Sequence, residues 1–244
     1  MSIDVDAALY CAPVPDIPRR RPRTNAPGRG GDTRARIAAA ALALFNARGS
    51  HAVSTRHVAA RVGISPGNLY YHFGNKEEIV LELYAGLEAE LGAILAPAGA
   101  GGRSFDEVLA YLDAIFAHLW AYRFFYRESN ALLRDVPGLA PRYRALASGT
   151  IARTRALFAD MVERGWMEAS EGDLDLLAAN AWIVLTQWFA HLQVLDGRRT
   201  LRAADVHAGI RHLVALVRPL LRAPQRRRVE HLLGPPARAP RGRN

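Results

Sequence analysis

The stretch Ser54-Thr-Arg-His-Val-Ala-Ala-Arg-Val-Gly-Ile-Ser-Pro-Gly-Asn-Leu-Tyr-Tyr-His-Phe73 leaves the chain few local choices. Ser54 can cap a two-turn helix over about 55–61, whose Val58, Ala59 and Val62 face inward. Gly63 then permits the left-handed backbone of a tight turn, and Ile64 plugs the angle between two helices. Ser65 caps the second helix, and Pro66 occupies its first position, where a missing N–H costs nothing. Leu69 and Phe73, four apart, pin that helix to a core. The pattern is a helix-turn-helix running from Ser54 to Phe73, and its outward face carries Gly67, Asn68, Tyr70, Tyr71 and His72.

That face suits a DNA groove. Gly67 removes bulk, and Asn68 can bond adenine through both atoms of its amide. Tyr70, Tyr71 and His72 offer donors to phosphates. Arg56 is in reach of a phosphate or a guanine edge, and Lys76 of a flanking phosphate. Lys76 is the only lysine beside 31 arginines. The net charge of +9 is unevenly placed: residues 17–31 hold five Arg and no acid, and 222–244 hold seven Arg against Glu230. A basic front joined to a more acidic body points to a polyanion met by the front. Two bland readings stand beside this: arginine tails that only aid solubility, and a helix pair used for protein contacts.

Residues 1–31, rich in Pro, Gly and Arg, read as a disordered basic arm. Helical spacing begins at Asp32, a candidate cap, with Ile37, Ala41, Leu44 and Phe45 on one face and Gly49 closing the helix. A fourth helix is expected from about Asn75 to Leu95, so the DNA-binding domain spans 32–95. A Gly- and Ala-rich loop separates it from a body over 104–221, with helices near 104–121, 123–134, 139–164, 173–195 and 203–221. Residues 222–244 read as a disordered basic tail. The fold class is all-α. With one cysteine, no disulfide forms within the chain, and no secretory leader or membrane span is expected, so the chain reads as cytoplasmic. There is no Gly-rich phosphate loop, nucleophile elbow or carboxylate cluster with a base, so neither an enzyme nor a cofactor is expected. His118 and His191 could meet inside the body, but without a third ligand at metal spacing.

The run Gly63-Ile-Ser-Pro-Gly-Asn-Leu-Tyr-Tyr-His-Phe-Gly-Asn-Lys-Glu-Glu-Ile79, preceded by the helix opened by Arg34-Ala-Arg-Ile37, closely resembles the signature of the TetR family of transcription regulators. The detailed match covers about 32–80. The stretch from Trp120 to Pro137 more loosely resembles the start of an effector domain in one subgroup. The resemblance implies a three-helix DNA-binding domain, a divergent helical domain that binds a small-molecule effector, and an obligate homodimer on a double-stranded, palindromic operator. The DNA-contact positions it implies are Thr55, Arg56, Pro66, Gly67, Asn68, Tyr70, Tyr71, His72 and Lys76, with Ser65 at the cap beside them. Pro66-Gly67 leaves little side chain for base reading, which shifts the burden to Asn68, Tyr70, Arg56 and the arm.

In the body, Trp120, Phe124, Tyr143, Trp182 and Trp188, with Thr150 and Thr154, are the candidate lining of a cavity for an apolar ligand. The aromatics serve equally well as core filling, and the two hydroxyls are either bonded to their own helix or offered to a ligand. Residues 173–195 are apolar on every side, so they must be buried on every side. The candidate dimer interface is Val184, Trp188, Val206, Ile210, Leu213 and Val217. The leading expectation is a homodimeric repressor released from its operator by a small ligand. An activator of the same build, or an architectural DNA-binding protein without an effector, are the alternatives.

Overall fold

The computed structural model describes residues 29–96, 102–195, 201 and 203–233. They form ten α-helices: α1 (Arg29–Arg48), α2 (Thr55–Val62), α3 (Pro66–His72), α4 (Lys76–Ile94), α5 (Phe105–Ala121), α6 (Arg123–Asp135), α7 (Leu139–Glu163), α8 (Glu171–Leu195), α9 (Ala203–Val217) and α10 (Ala223–Leu233). Among the described residues the only strand-like pairing is an isolated bridge between Met167 and Leu221. The chain is therefore all-α, with an N-terminal helix-turn-helix and a larger helical bundle.

The small N-terminal unit forms as its residue types dictate. Ile37, Ala41 and Phe45 of α1, Leu69 of α3 and Phe73 are wholly buried together. Each large side chain among them stabilises the unit by about 1.5–3 kcal/mol. Ser54 caps α2 in a capping box whose return bond comes from the His57 ring. Gly63 has φ +76°, and the N–H groups of Gly63 and Ile64 both reach the Ala59 carbonyl, at 3.0 and 3.1 Å. The start of α1 differs from expectation: the helix begins at Arg29, so Asp32 lies in its first turn rather than capping it. There its negative charge still faces the positive helix end favourably. The arm through residue 28 lies outside the described residues.

In the body, α8 lies between α7 and α9, while α5 and α6 cross toward the N-terminal unit. The expected disordered tail is corrected over 223–233, which is helix α10. Its arginine-rich composition hid a docking residue, Val229, which is buried. The segment before it is strapped down: Glu168 N–H donates to the Leu220 carbonyl at 2.9 Å and Arg222 N–H to that of Trp166 at 2.8 Å. Arg226 donates to the Leu221 carbonyl at 2.7 Å. Arg228 pairs with Asp106 and lies 5.1 Å over the Phe105 ring.

Two glycines allow a clean comparison. A β-carbon at Gly63 would meet nothing within 4 Å, whereas one at Gly49 (φ +86°) would lie 2.7 Å from Glu128 Oε1. Gly63→Ala should therefore cost only the left-handed strain, about 1 kcal/mol. Gly49→Ala should cost clearly more, read as the difference between the two variants in denaturant melts. Equal losses would mean that Glu128 does not press on the end of α1.

Candidate nucleic-acid interface and body cavity

The second helix of the motif, α3, turns one side to the core through Leu69 and leaves Pro66, Gly67, Asn68, Tyr70 and Tyr71 exposed, Tyr71 at 85%. His72 is half-buried, with its ring edge-on to Tyr71 at 5.2 Å. Arg56 is exposed at the start of α2, and Thr55 Oγ1 lies 3.2 Å from Tyr70 Oη, tying the two helices together at their outer faces. Ser65 is committed locally, since its hydroxyl accepts from Asn68 N–H at 3.2 Å. Of the expected contact positions, Thr55 and Tyr70 thus meet, and Arg56, Pro66, Gly67, Asn68 and Tyr71 are exposed on the same two helices. Lys76, expected to reach a flanking phosphate, is half-buried, and its ammonium donates to the Ser50 carbonyl at 3.1 Å.

What holds this surface from behind was not foreseen. Arg34 of α1 donates to the His72 carbonyl, pairs with Glu82 of α4 at 2.7 Å, and lies 4.0 Å over the Phe73 ring. One guanidinium therefore joins α1, α3 and α4. At the other end of α1 the contact is with the body. Asn46 donates to the Ala121 carbonyl at 2.7 Å and accepts from Phe124 N–H at 3.0 Å. Ser50 N–H and hydroxyl both donate to Glu128, the backbone bond at 2.9 Å and the hydroxyl bond at 2.5 Å. The sign of this in the sequence was slight: Glu128 falls inside the loosely matching stretch, and Asn46 and Ser50 flank the end of the first helix.

The body holds a cavity of about 120 Å³ lined by α4 to α10. Leu91 and Leu95 reach it from the end of α4, Tyr126 from α6, Leu213 and Val217 from α9, and Val229 from α10. Of the seven expected lining residues, Thr150, Thr154 and Trp182 are on the wall. The other four pack elsewhere. Phe124 is buried 5.4 Å from Phe45 at the domain junction, and Trp120 lies beneath the Arg123 guanidinium at 4.1 Å. Tyr143 stands behind Trp182 at 5.8 Å, and Trp188 donates to the Asp205 carbonyl at 2.6 Å. Thr154 bonds its own helix, donating to the Thr150 carbonyl at 2.9 Å, and Thr186 does the same to Trp182 at 2.8 Å. His118 and His191 do not meet. His118 is buried with Nε2 3.3 Å from Tyr126 Oη, and His191 is exposed and stacked on Trp188. Burial holds the Tyr126 phenol well above its usual range, so it keeps its proton. Among the described residues no group of three or more His, Cys, Asp or Glu could hold a metal, and no helix is long and apolar enough to cross a membrane.

The expected dimer residues are mostly internal to the protomer. Trp188, Ile210 and Leu213 are buried, Val184 and Val217 are half-buried, and the side chain of Val206 lies outside the described residues. Helix α8 instead presents Leu176, Ile183 and Val194 outward, at 65%, 55% and 80% exposure.

A family model described as bacterial regulatory proteins of the tetR family matches residues 37–83, and one described as bacterial transcriptional repressor (TetR) matches 87–229. The crystal structure of a TetR-family transcriptional regulator from Marinobacter aquaeolei VT8 is 32% identical, with a TM-score of 0.75 over 82% of this chain and 97% of that one. The HTH-type transcriptional repressor KstR2 of Mycobacterium tuberculosis is 48% identical over 46 residues, 19% of this chain and 23% of that protein. The HTH-type transcriptional regulator TtgW of Pseudomonas putida is 33% identical over 85 residues, 34% of this chain and 63% of that protein. The chain thus spans under a quarter of the length of KstR2 and under two thirds of TtgW.

The junction between α1 and α6 supplies a test of its own. Glu128→Ala leaves the buried Ser50 N–H and hydroxyl without acceptors, and should cost about 2–3 kcal/mol in thermal or denaturant unfolding. Glu128→Gln, which keeps one acceptor oxygen, should cost less. Loss of under 0.5 kcal/mol in the alanine variant, at the level of an ordinary surface change, would show that the junction holds without this contact.

Proposed function

Since the chain belongs to the TetR family of bacterial transcription regulators, we propose that it is a homodimeric repressor which a small apolar ligand releases from a palindromic operator. The observation that carries the DNA reading is the single exposed surface formed by α3 and the start of α2 on a rigid three-helix core. In this reading Asn68 and Tyr70 read base edges in the major groove. Thr55, Arg56, Tyr71 and His72 hold phosphates, while Ser65, Pro66 and Gly67 set how closely α3 approaches the duplex. Lys76 adds its charge at the edge of the surface while anchoring α4 to the end of α1. Repression is favoured over activation by the description of the family model over 87–229 and by the likeness to KstR2.

The apolar cavity supports the effector half of the reading. Helix α4 carries Leu91 and Leu95 on the cavity wall at one end and Lys76 against α1 at the other. Occupancy that displaces the wall therefore displaces the DNA-binding unit. In a dimer, a changed separation of the two α3 helices no longer fits half-sites roughly 34–36 Å apart. Coupling of this kind is about 1–3 kcal/mol, or about 5–150-fold in DNA affinity.

The dimer is assigned to the outer face of α8. Leu176, Ile183 and Val194 fall on one helix face, with Asn180 and Gln187 between them. Ile183→Glu should give a monomer in sedimentation with an unchanged melt and no operator binding. A charge at Ile210, buried within the protomer, should instead unfold the chain. An Ile183→Glu variant that still sediments as a dimer places the interface elsewhere.

On DNA, Asn68→Ala should cost about 1–3 kcal/mol on the operator and relax preference at one base pair. Arg56→Ala should weaken operator and scrambled DNA alike and lower the salt slope by about one unit. Affinity against salt for both DNAs separates the two roles. Equal losses on both DNAs for Asn68→Ala would remove it as a base reader.

A further inference from the structure

The cavity wall is polar at very few places, and its threonines differ in one respect. The Thr154 and Thr186 hydroxyls are spent on carbonyls of their own helices, at 2.9 and 2.8 Å. Thr150 Oγ1 is buried and has no hydrogen-bond partner. A helical threonine can ordinarily donate to the carbonyl one turn back, as Thr154 does; Thr150 does not. Valine has the same shape without the hydroxyl, so threonine here gives up stability that valine would keep. A buried polar group left unpaired calls for a partner from outside the chain. Water serves poorly, because a buried water needs two to four polar partners and the wall about Thr150 is mainly leucine, valine and other apolar side chains.

We propose that the effector carries one hydrogen-bonding group, a hydroxyl or carbonyl oxygen, on an apolar frame of about one ring, and that Thr150 selects for it. The inference rests on reading the cavity as the effector site. Its size agrees with that frame: a cavity of about 120 Å³ is close to the roughly 150 Å³ known to hold a benzene ring. The rest of the wall is mostly leucine, valine, phenylalanine and other apolar side chains, which reward an apolar frame, and the buried Tyr126 hydroxyl there is already paired with His118 Nε2 at 3.3 Å.

The test compares phenol with toluene, near-equal in shape, by titration calorimetry on the full chain. The wild type should bind both. Thr150→Val should weaken phenol about tenfold, the worth of one hydrogen bond, and leave toluene unchanged or tighter. Thr150→Ser should keep phenol binding. The ligand-free Thr150→Val protein should also melt above the wild type, because it no longer buries an unpaired hydroxyl. If wild type and Thr150→Val discriminate phenol from toluene equally, Thr150 is not the selecting residue, although the cavity still binds ligand. If the wild type binds neither compound, the cavity reading itself falls, and this inference with it.

Discussion

A helix end that leaves its backbone groups unpaired in a protein interior is costly, and here two such ends solve the problem for each other. Helix α6 begins without a side-chain cap of its own, and Asn46 of α1 supplies one by accepting from Phe124 N–H. In return Glu128 of α6 accepts from Ser50 just beyond the end of α1, and Arg127 donates to the Phe45 carbonyl at 3.3 Å. Bonds to a charged group are worth about 1.5–3 kcal/mol each, against about 1 for neutral ones. Lys76 closes the arrangement by taking the Ser50 carbonyl. Because α4 and α6 both meet this one corner, the DNA-facing unit is tied to the body through two helices rather than one.

The same corner explains why one glycine is demanded there. Gly49 must turn the chain into the left-handed region and also leave room for a carboxylate 2.7 Å from where a β-carbon would stand. Gly63 answers only the first demand. A residue type visible in the sequence as a helix stop thus serves two purposes, of which the second belongs to a partner far along the chain.

How far the structure can be read from the residues follows from this distinction. The helix-turn-helix was readable almost residue by residue, because its caps, turn and core pins act within a few positions of one another: Ser54, Gly63, Ser65, Leu69. Apolar spacing likewise located the body helices to within a few residues. Periodicity names the apolar faces of a helix but not their neighbours. So of Trp182 and Trp188, both expected on the cavity and both on α8, only Trp182 lines it. For the same reason Ile210 and Leu213, expected to face a second chain, face the protomer interior, while Ile183 does not. Helix α10 was hidden because a proline near its start and three consecutive arginines resemble a tail, and one buried valine docks it. Arg34 and Glu128 were hidden because a charged side chain gives no period at all.

The cavity wall has a consequence for how the chain comes into being. Its lining runs from Leu91 to Val229, so it is assembled from nearly the whole described length. The helix-turn-helix ends at Phe73, and the Arg34 pair that backs it needs nothing later than Glu82 of α4. Local contacts form quickly and distant ones slowly, and synthesis proceeds from the N-terminus. A nascent chain on the ribosome therefore holds a finished helix-turn-helix unit well before it holds the cavity. The last wall residue to emerge decides when the cavity is first complete.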